Sequence, residues 1–267
     1  MNVQEAILLA KSVGGLLIPQ TEDHFVLMMA PTAKRHIEIR GKTAYQGHKW
    51  LDALNRMPLD RRNTYVDIGA HCALWAWFLS SEFEHTVAFE AAPLHAALFR
   101  ANVYDGQWTE DEEATVSDGF PTYMANGIEH GMITLYECAL GAERGVVTIE
   151  CAADETGSAH VAQGDGGDAR RGHGALIQYP NVTMLPLDDF HFENVDFCKI
   201  DVEGYELQVV QGAEKTFKEH RPWLIVEQKS NDTLYGGKKD EATDLLKSWG
   251  WKDEKVISGD HCMSPPV

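Results

Sequence analysis

The sequence predicts an α/β fold, a doubly wound and mostly parallel sheet with a closing hairpin at its C-terminal end. Three observations lead there. From residue 64 onward, short β-rich runs alternate with stretches of helical spacing, the pattern of a sheet covered on both faces. A glycine, Gly69, and several acidic residues stand directly behind these runs, where open α/β sheets place their ligand crevice. The chain has 267 residues and 44% hydrophobic content, enough for the core of one large domain or of a domain with an appendage.

The elements follow in order. Residues 1–62 read as an N-terminal extension or cap, with a short helix at 3–13, a strand-like run at 25–29 and a helix at 45–57. In that last helix Trp50, Leu51, Leu54 and Met57 recur at helical spacing. Residues 63–267 read as the main domain. Thr64–Ile68 is its first strand and 73–80 its first helix. A strand at 86–89 and a helix at Pro93–Tyr104, with proline in the first turn, come next. The acidic stretch 105–131 is long for a connection, and a strand follows at 132–138. Short strands at 146–150 and 182–185 flank a second long loop, 152–180, whose glycine-rich part spans 164–174. The glycine-rich part 164–174 and the stretch 105–131 are expected to be mobile near the mouth of the site. Val195–Ile200 and Trp223–Glu227 are strands, 206–220 a helix with a break at Gly212, 240–249 a helix, and 251–265 the hairpin.

Composition narrows the classes. The formal net charge is −18, and a surface this acidic repels phosphate backbones, which disfavours a nucleic-acid partner. No apolar run is long enough for a membrane span, and the first residues lack the basic start of a secretory signal. The five cysteines are scattered with no C-x-x-C pair, a pattern of reduced thiols that fits a cytoplasmic protein.

Two motifs carry chemistry. In YVDIGAHCALWAW, Asp67 ends a strand, Gly69 permits a tight turn, and a helix start follows. In VAFEAAP, Glu90 ends the next strand, where a carboxylate can accept both hydroxyl hydrogens of a ribose. The positions two and five residues beyond Gly69 are His71 and Leu74, so the nicotinamide G-x-G-x-x-G fingerprint fails.

A third segment, VDFCKIDVEGYELQVVQGAEKTFKEHRPWLIVEQK, decides the resemblance. Its Lys199, Asp201, Glu203, Gly204 and Glu206 match the K-I-D-V-E-G-x-E signature of the FkbM methyltransferases. Val210, Gly212 and Ala213, then Arg221, Pro222 and Glu227, continue that pattern. The chain resembles this family over roughly residues 64–228, including Asn102, Ala139–Leu140–Gly141 and the PLDDF run. It departs at His71 and Ala73, where the family usually carries Asn and Gly; Ala73 fits only if the backbone there needs no positive φ.

The resemblance implies a Rossmann-like class I methyltransferase sheet and S-adenosylmethionine as cofactor. It implies an O-methyltransferase acting on a hydroxyl of a saccharide or small metabolite. Asp67, Gly69, Ala70 and His71 would hold the methionine end, Glu90 the ribose, Ala139 and Leu140 the adenine, and Asp201 either the cofactor or the reacting end. Candidate bases for the acceptor's proton are Glu203, Asp201 and His261, and Lys199 is expected to pair with a carboxylate. A Mg²⁺ ion on Asp201 and Glu227 is an alternative, since oxygen ligands suit it; otherwise no metal is expected. A catalytically inactive binding module on the same fold, and a protein or nucleic-acid methyltransferase, remain as competing readings.

Overall fold

The computed structural model describes residues 16–19, 25–28, 46–104, 122–126, 132–153, 155–163, 174–228, 235 and 238–267. The helix expected at 3–13, most of 105–131 and residues 164–173, with their expected mobility, lie outside them.

In chain order, β1 (Leu16–Pro19) and β2 (Phe25–Met28) pair antiparallel, and α1 is Gly47–Arg56. Then come β3 (Thr64–Ile68), α2 (Ala76–Leu79), β4 (His85–Phe89) and α3 (Pro93–Tyr104). They are followed by β5 (Thr122–Asn126), β6 (Met132–Tyr136), β7 (Ala139–Leu140), β8 (Gly145–Ala152), β9 (Glu155–Val161) and β10 (Leu176–Leu185). The last third holds β11 (Val195–Ile200), α4 (Glu206–Gln211), α5 (Glu214–His220), β12 (Trp223–Glu227) and α6 (Glu241–Ser248). Two strands end the chain, β13 (Lys252–Ile257) and β14 (Asp260–Ser264).

The large sheet runs β13-β14-β12-β11-β3-β4-β6-β5. Its five central strands, from β12 to β6, are parallel, and antiparallel strands flank them on both sides. The chain builds outward from β3 through β4 to β6, then returns to start β11 on the other side of β3 and continues to β12. The strand order therefore reverses between β3 and β11, the position that opens a crevice at the carboxyl ends of the strands.

Side chains alternate across the central strands. Tyr65, Phe197, Ile225 and Cys262 pack on one face with Trp50, Ala53 and Leu54 of α1 and with Leu79, Leu94 and Leu98. Val66, Ile68, Cys198, Ile200, Leu224 and Val226 pack on the other, against Val209, Val210, Phe217 and Leu246 of α4, α5 and α6. Both faces are covered, so β3 and β11 are buried at every position, as parallel strands require. Each fully buried Val, Leu, Ile or Phe side chain among them contributes about 1.5–3 kcal/mol. Helix α1 shares the first of these cores, although the expected boundary at residue 62 places it in an appended cap.

Three expectations change. The loop 152–180 contains all of β9 and the start of β10, and these strands form a second sheet, β7-β10-β8-β9. The stretch 105–131 contains β5 at the edge of the large sheet. The helix expected at 73–80 is only Ala76–Leu79, because His71 (φ 52°) and Ala73 (φ 73°) are left-handed and cannot belong to a right-handed helix. Ala73 thus keeps the glycine-type conformation without being glycine. The helix at 206–220 does break around Gly212, and packing explains it. A Cβ on Gly212 would lie 2.0 Å from the Gly141 carbonyl oxygen, and the Gly212 carbonyl accepts the Asp188 N–H at 2.9 Å.

Candidate active site

A cavity of about 690 Å³ opens at the carboxyl ends of the central strands. The loops behind β3 and β11 meet at its floor. The Asp201 N–H donates to the Ile68 carbonyl at 3.1 Å, and the Gly69 and Ala70 amides both donate to Phe89 O at 3.0 Å. Gly69 has φ 76°, and a Cβ there would lie 1.9 Å from the Asp201 carbonyl oxygen. Glycine is therefore required twice, by conformation and by contact.

The period-2 pleat sets a charged row across the floor. Asp67 pairs in register with Lys199, and Glu227 with Asp260. Lys199 Nζ lies 3.5 Å from Asp67 Oδ1 and 3.4 Å from Asp201 Oδ2, and it donates to Gly69 O at 3.1 Å. This is the carboxylate pairing expected for Lys199. Asp67 is fully buried, and burial lifts its carboxyl above the ordinary range while Lys199 pulls it back. Neither Asp67 oxygen has a hydrogen-bond partner among the described residues. Lys49 from α1 pairs with Asp260 at the far end of the row, and both are buried.

The loop behind β11 is bent and braced. Glu203 (φ 56°) and Gly204 (φ 109°) are both left-handed. The Val202 and Gly204 amides donate to Glu206 Oε1, each at 3.1 Å. Glu206 is buried, which pushes its carboxyl up to about 8 against the pull of those amides. The result gathers carboxylate oxygens of Asp201, Glu203 and Glu227 within 4.8 Å of one another. Such a group can accept a proton from a hydroxyl or hold a cation.

At the opposite end, Glu90 is buried and accepts the His71 N–H at 2.7 Å and the Ala92 N–H at 2.8 Å. Cys138, Ala139 and Leu140 border it. The roof is strand β9, which contributes Gly157, Ser158 and His160 among others. Tyr235 ties this strand to the braced loop. Its hydroxyl donates to Val161 O at 2.7 Å and its ring meets Tyr205 edge-on, with centroids 4.9 Å apart.

Asp67, Gly69, Ala70, His71, Glu90, Ala139, Leu140, Asp201 and Glu203 thus all line one cavity. His261 does not. It sits on the same strand as Asp260 but points to the other face, and its Nδ1 lies 2.9 Å from Asp253 Oδ1. A one-residue step along a strand reverses the side chain, so the hairpin that carries His261 delivers Asp260 to the row instead.

The sequence profile of the methyltransferase FkbM domain matches residues 67–251. The chain belongs to the FkbM methyltransferase domain family. A search of curated proteins finds no match. Two solved structures are similar to this chain in part. The methyltransferase FkbM from Methylobacillus flagellatus KT is 17% identical with a TM-score of 0.42, over 76% of this chain and 43% of that one. The precorrin 8W decarboxylase from Methanobacterium thermoautotrophicum is 13% identical with a TM-score of 0.39, over 86% and 90%. This chain therefore spans less than half the length of the Methylobacillus protein. Among the described residues, no helix of the FkbM chain is long and apolar enough to cross a membrane.

Several residues of this FkbM site escape a reading of sequence motifs. Lys49 of α1 and Gln46 just before that helix reach it, and Gln46 Oε1 accepts the Trp75 indole N–H at 3.2 Å. Their helical spacing marks only the core-facing Trp50 and Leu54. His95 reaches it from the first turn of α3; its one signal was position, five residues behind Glu90.

Proposed function

We propose that this chain is an S-adenosylmethionine-dependent O-methyltransferase acting on a neutral hydroxyl compound such as a saccharide. The observation that carries the reading is the meeting of Asp67, Gly69, Glu90 and the Asp201–Glu203 loop in one cavity at the strand-order reversal.

The residues fit the cofactor. Asp67 presents buried oxygens without hydrogen-bond partners among the described residues, and Gly69 leaves room for close backbone approach. Asp67, Gly69, Ala70 and His71 would hold the amino-acid end, Glu90 the ribose, and Ala139 and Leu140 the base. When bound, S-adenosylmethionine supplies an electrophilic methyl group. The chain's own work is to align the acceptor oxygen and remove its proton. Glu203 is the base in this reading. Glu206 fixes its loop, and Asp201 stands beside it, paired with Lys199.

The charge of the cavity favours a neutral acceptor. Its described lining carries Asp67, Glu90, Glu155, Asp201, Glu203 and Glu227 against Lys49 and Lys199. A phosphorylated or carboxylated acceptor would meet that field as a like charge. Residues 1–62 act as a cap in this reading, with α1 bringing His48 and Lys49 to the cavity.

Calorimetry with S-adenosylmethionine, followed by mass spectrometry of glycans and small metabolites incubated with enzyme and cofactor, tests the proposal. Binding together with a one-methyl mass gain is expected. Absence of binding sinks it, and binding with no transfer to any acceptor leaves a binding module.

A further inference from the structure

We infer that His95 reads the ribose: its Nε2 accepts a hydrogen bond from a hydroxyl of the nucleoside that Glu90 holds. The inference rests on the cofactor reading above and adds a residue that the family signature does not contain.

His95 stands in the first turn of α3, is buried, and lines the cavity. Its Nε2 is sealed from water and has no hydrogen-bond partner among the described residues. A buried polar atom left in this state is costly, and native structures rarely tolerate it without a ligand or a bound water to complete it. Its Nδ1 lies 3.8 Å from Glu90 Oε1. A carboxylate on that side favours the tautomer with hydrogen on Nδ1, which leaves a lone pair on Nε2. His95 therefore offers an acceptor, and so does Glu90.

Glu90 has spent one lone pair of each oxygen on the His71 and Ala92 amides, and each oxygen keeps another. Two acceptors side by side suit a ligand with two adjacent donors, which a ribose diol is and an isolated hydroxyl is not. Ala91, Ala139 and Leu140 border this end with apolar surface. The His71 ring packs at a tilt of 58°, with centroids 4.1 Å apart, and fixes the plane of His95. A histidine kept only for packing would be as well served by phenylalanine, and this is the basis of the test.

Wild type and His95→Phe are titrated calorimetrically with S-adenosylhomocysteine and with its 2′-deoxy and 3′-deoxy analogues. The two proteins are expected to melt at similar temperatures. His95→Phe should bind S-adenosylhomocysteine about 10-fold more weakly, the effect of one lost hydrogen bond. That loss should vanish with one of the two deoxy analogues, because the partner hydroxyl is then absent from both sides of the comparison. Equal binding by wild type and variant overturns the inference. So does an equal loss with all three ligands, which would mean a general disturbance of the cavity. If wild type itself binds none of them, the cofactor reading fails first. Should His95→Phe not fold, His95→Leu takes its place in the same comparison.

Discussion

Lys199 and Asp67 face each other across neighbouring strands, with Nζ 3.5 Å from Oδ1 and the carboxylate fully buried. Removing one member of a buried pair strands the other, at about 3–5 kcal/mol. Lys199→Met is therefore expected to destabilise the fold by about that amount in urea denaturation. Adding Asp67→Asn should restore part of the loss. A double variant as unstable as the sum of the two singles would show that the pair is not coupled.

Gly69 tests the contact between the two loops. An alanine there has a left-handed φ, costing about 1–2 kcal/mol, and its Cβ would overlap the Asp201 carbonyl at 1.9 Å. Gly69→Ala should lose more than about 3 kcal/mol in total. Cofactor affinity should fall with it, since the turn and the braced loop must separate. Wild-type melting behaviour in this variant would contradict the geometry.

Ala73 gives the opposite expectation. Glycine there forfeits a buried methyl, about 0.8 kcal/mol, and adds chain entropy, but it relieves a left-handed strain of about 1–2 kcal/mol. Ala73→Gly should therefore fall within about 1 kcal/mol of wild type. Ala97→Gly, in the interior of α3, has no strain to relieve and should cost about 2 kcal/mol. Chemical denaturation of the two variants side by side measures the difference.

Glu206 predicts a pH dependence. Its carboxyl is raised to about 8 by burial, while in the unfolded chain it titrates near 4.5. Between these values the folded state holds a proton that the unfolded state has released, so this group's contribution to stability falls as pH rises. Glu206→Gln keeps an acceptor for the Val202 and Gly204 amides but removes the proton. Its stability should decline less than that of wild type from about pH 5 to about pH 8. Parallel curves for the two proteins would refute this.

For the chemical step, Glu203→Gln should slow single-turnover methylation by about 10²–10⁴ while cofactor affinity stays close to wild type. His261→Ala should react normally, because His261 lies outside the cavity and is held by Asp253. A rate abolished by chelator and restored by Mg²⁺ would instead assign the Asp201–Glu203–Glu227 group to a cation.

What the sequence revealed was whatever repeats or marks a strand end. The alternation from Thr64 gave the parallel core, and Gly69, Glu90 and Asp201 stood where strands stop. What it concealed depended on pairings distant in the chain. Nothing in the polar run ETGSAHV announces a strand until β8 lies beside it. His261 and Asp260 differ by one residue, and only the register with β12 decides which of them joins the floor. The left-handed Ala73 was hidden for a related reason: alanine favours helix on its own, and the packed turn overrides that preference.

The roof of the cavity has a consequence for how such a protein diversifies. Strands β8 and β9 form a hairpin on a separate small sheet, and β9 is its outermost strand. That hairpin lines the cavity through Ile149 of β8 and Glu155, Gly157 and Ser158 of β9, whereas Asp67, Gly69 and Glu90 stand at the strand ends of the parallel core and Ala139 and Leu140 belong to β7 of the small sheet. If the proposed reading holds, exchanging residues 145–161 would reshape one wall of the cavity while leaving Asp67, Gly69 and Glu90 in place.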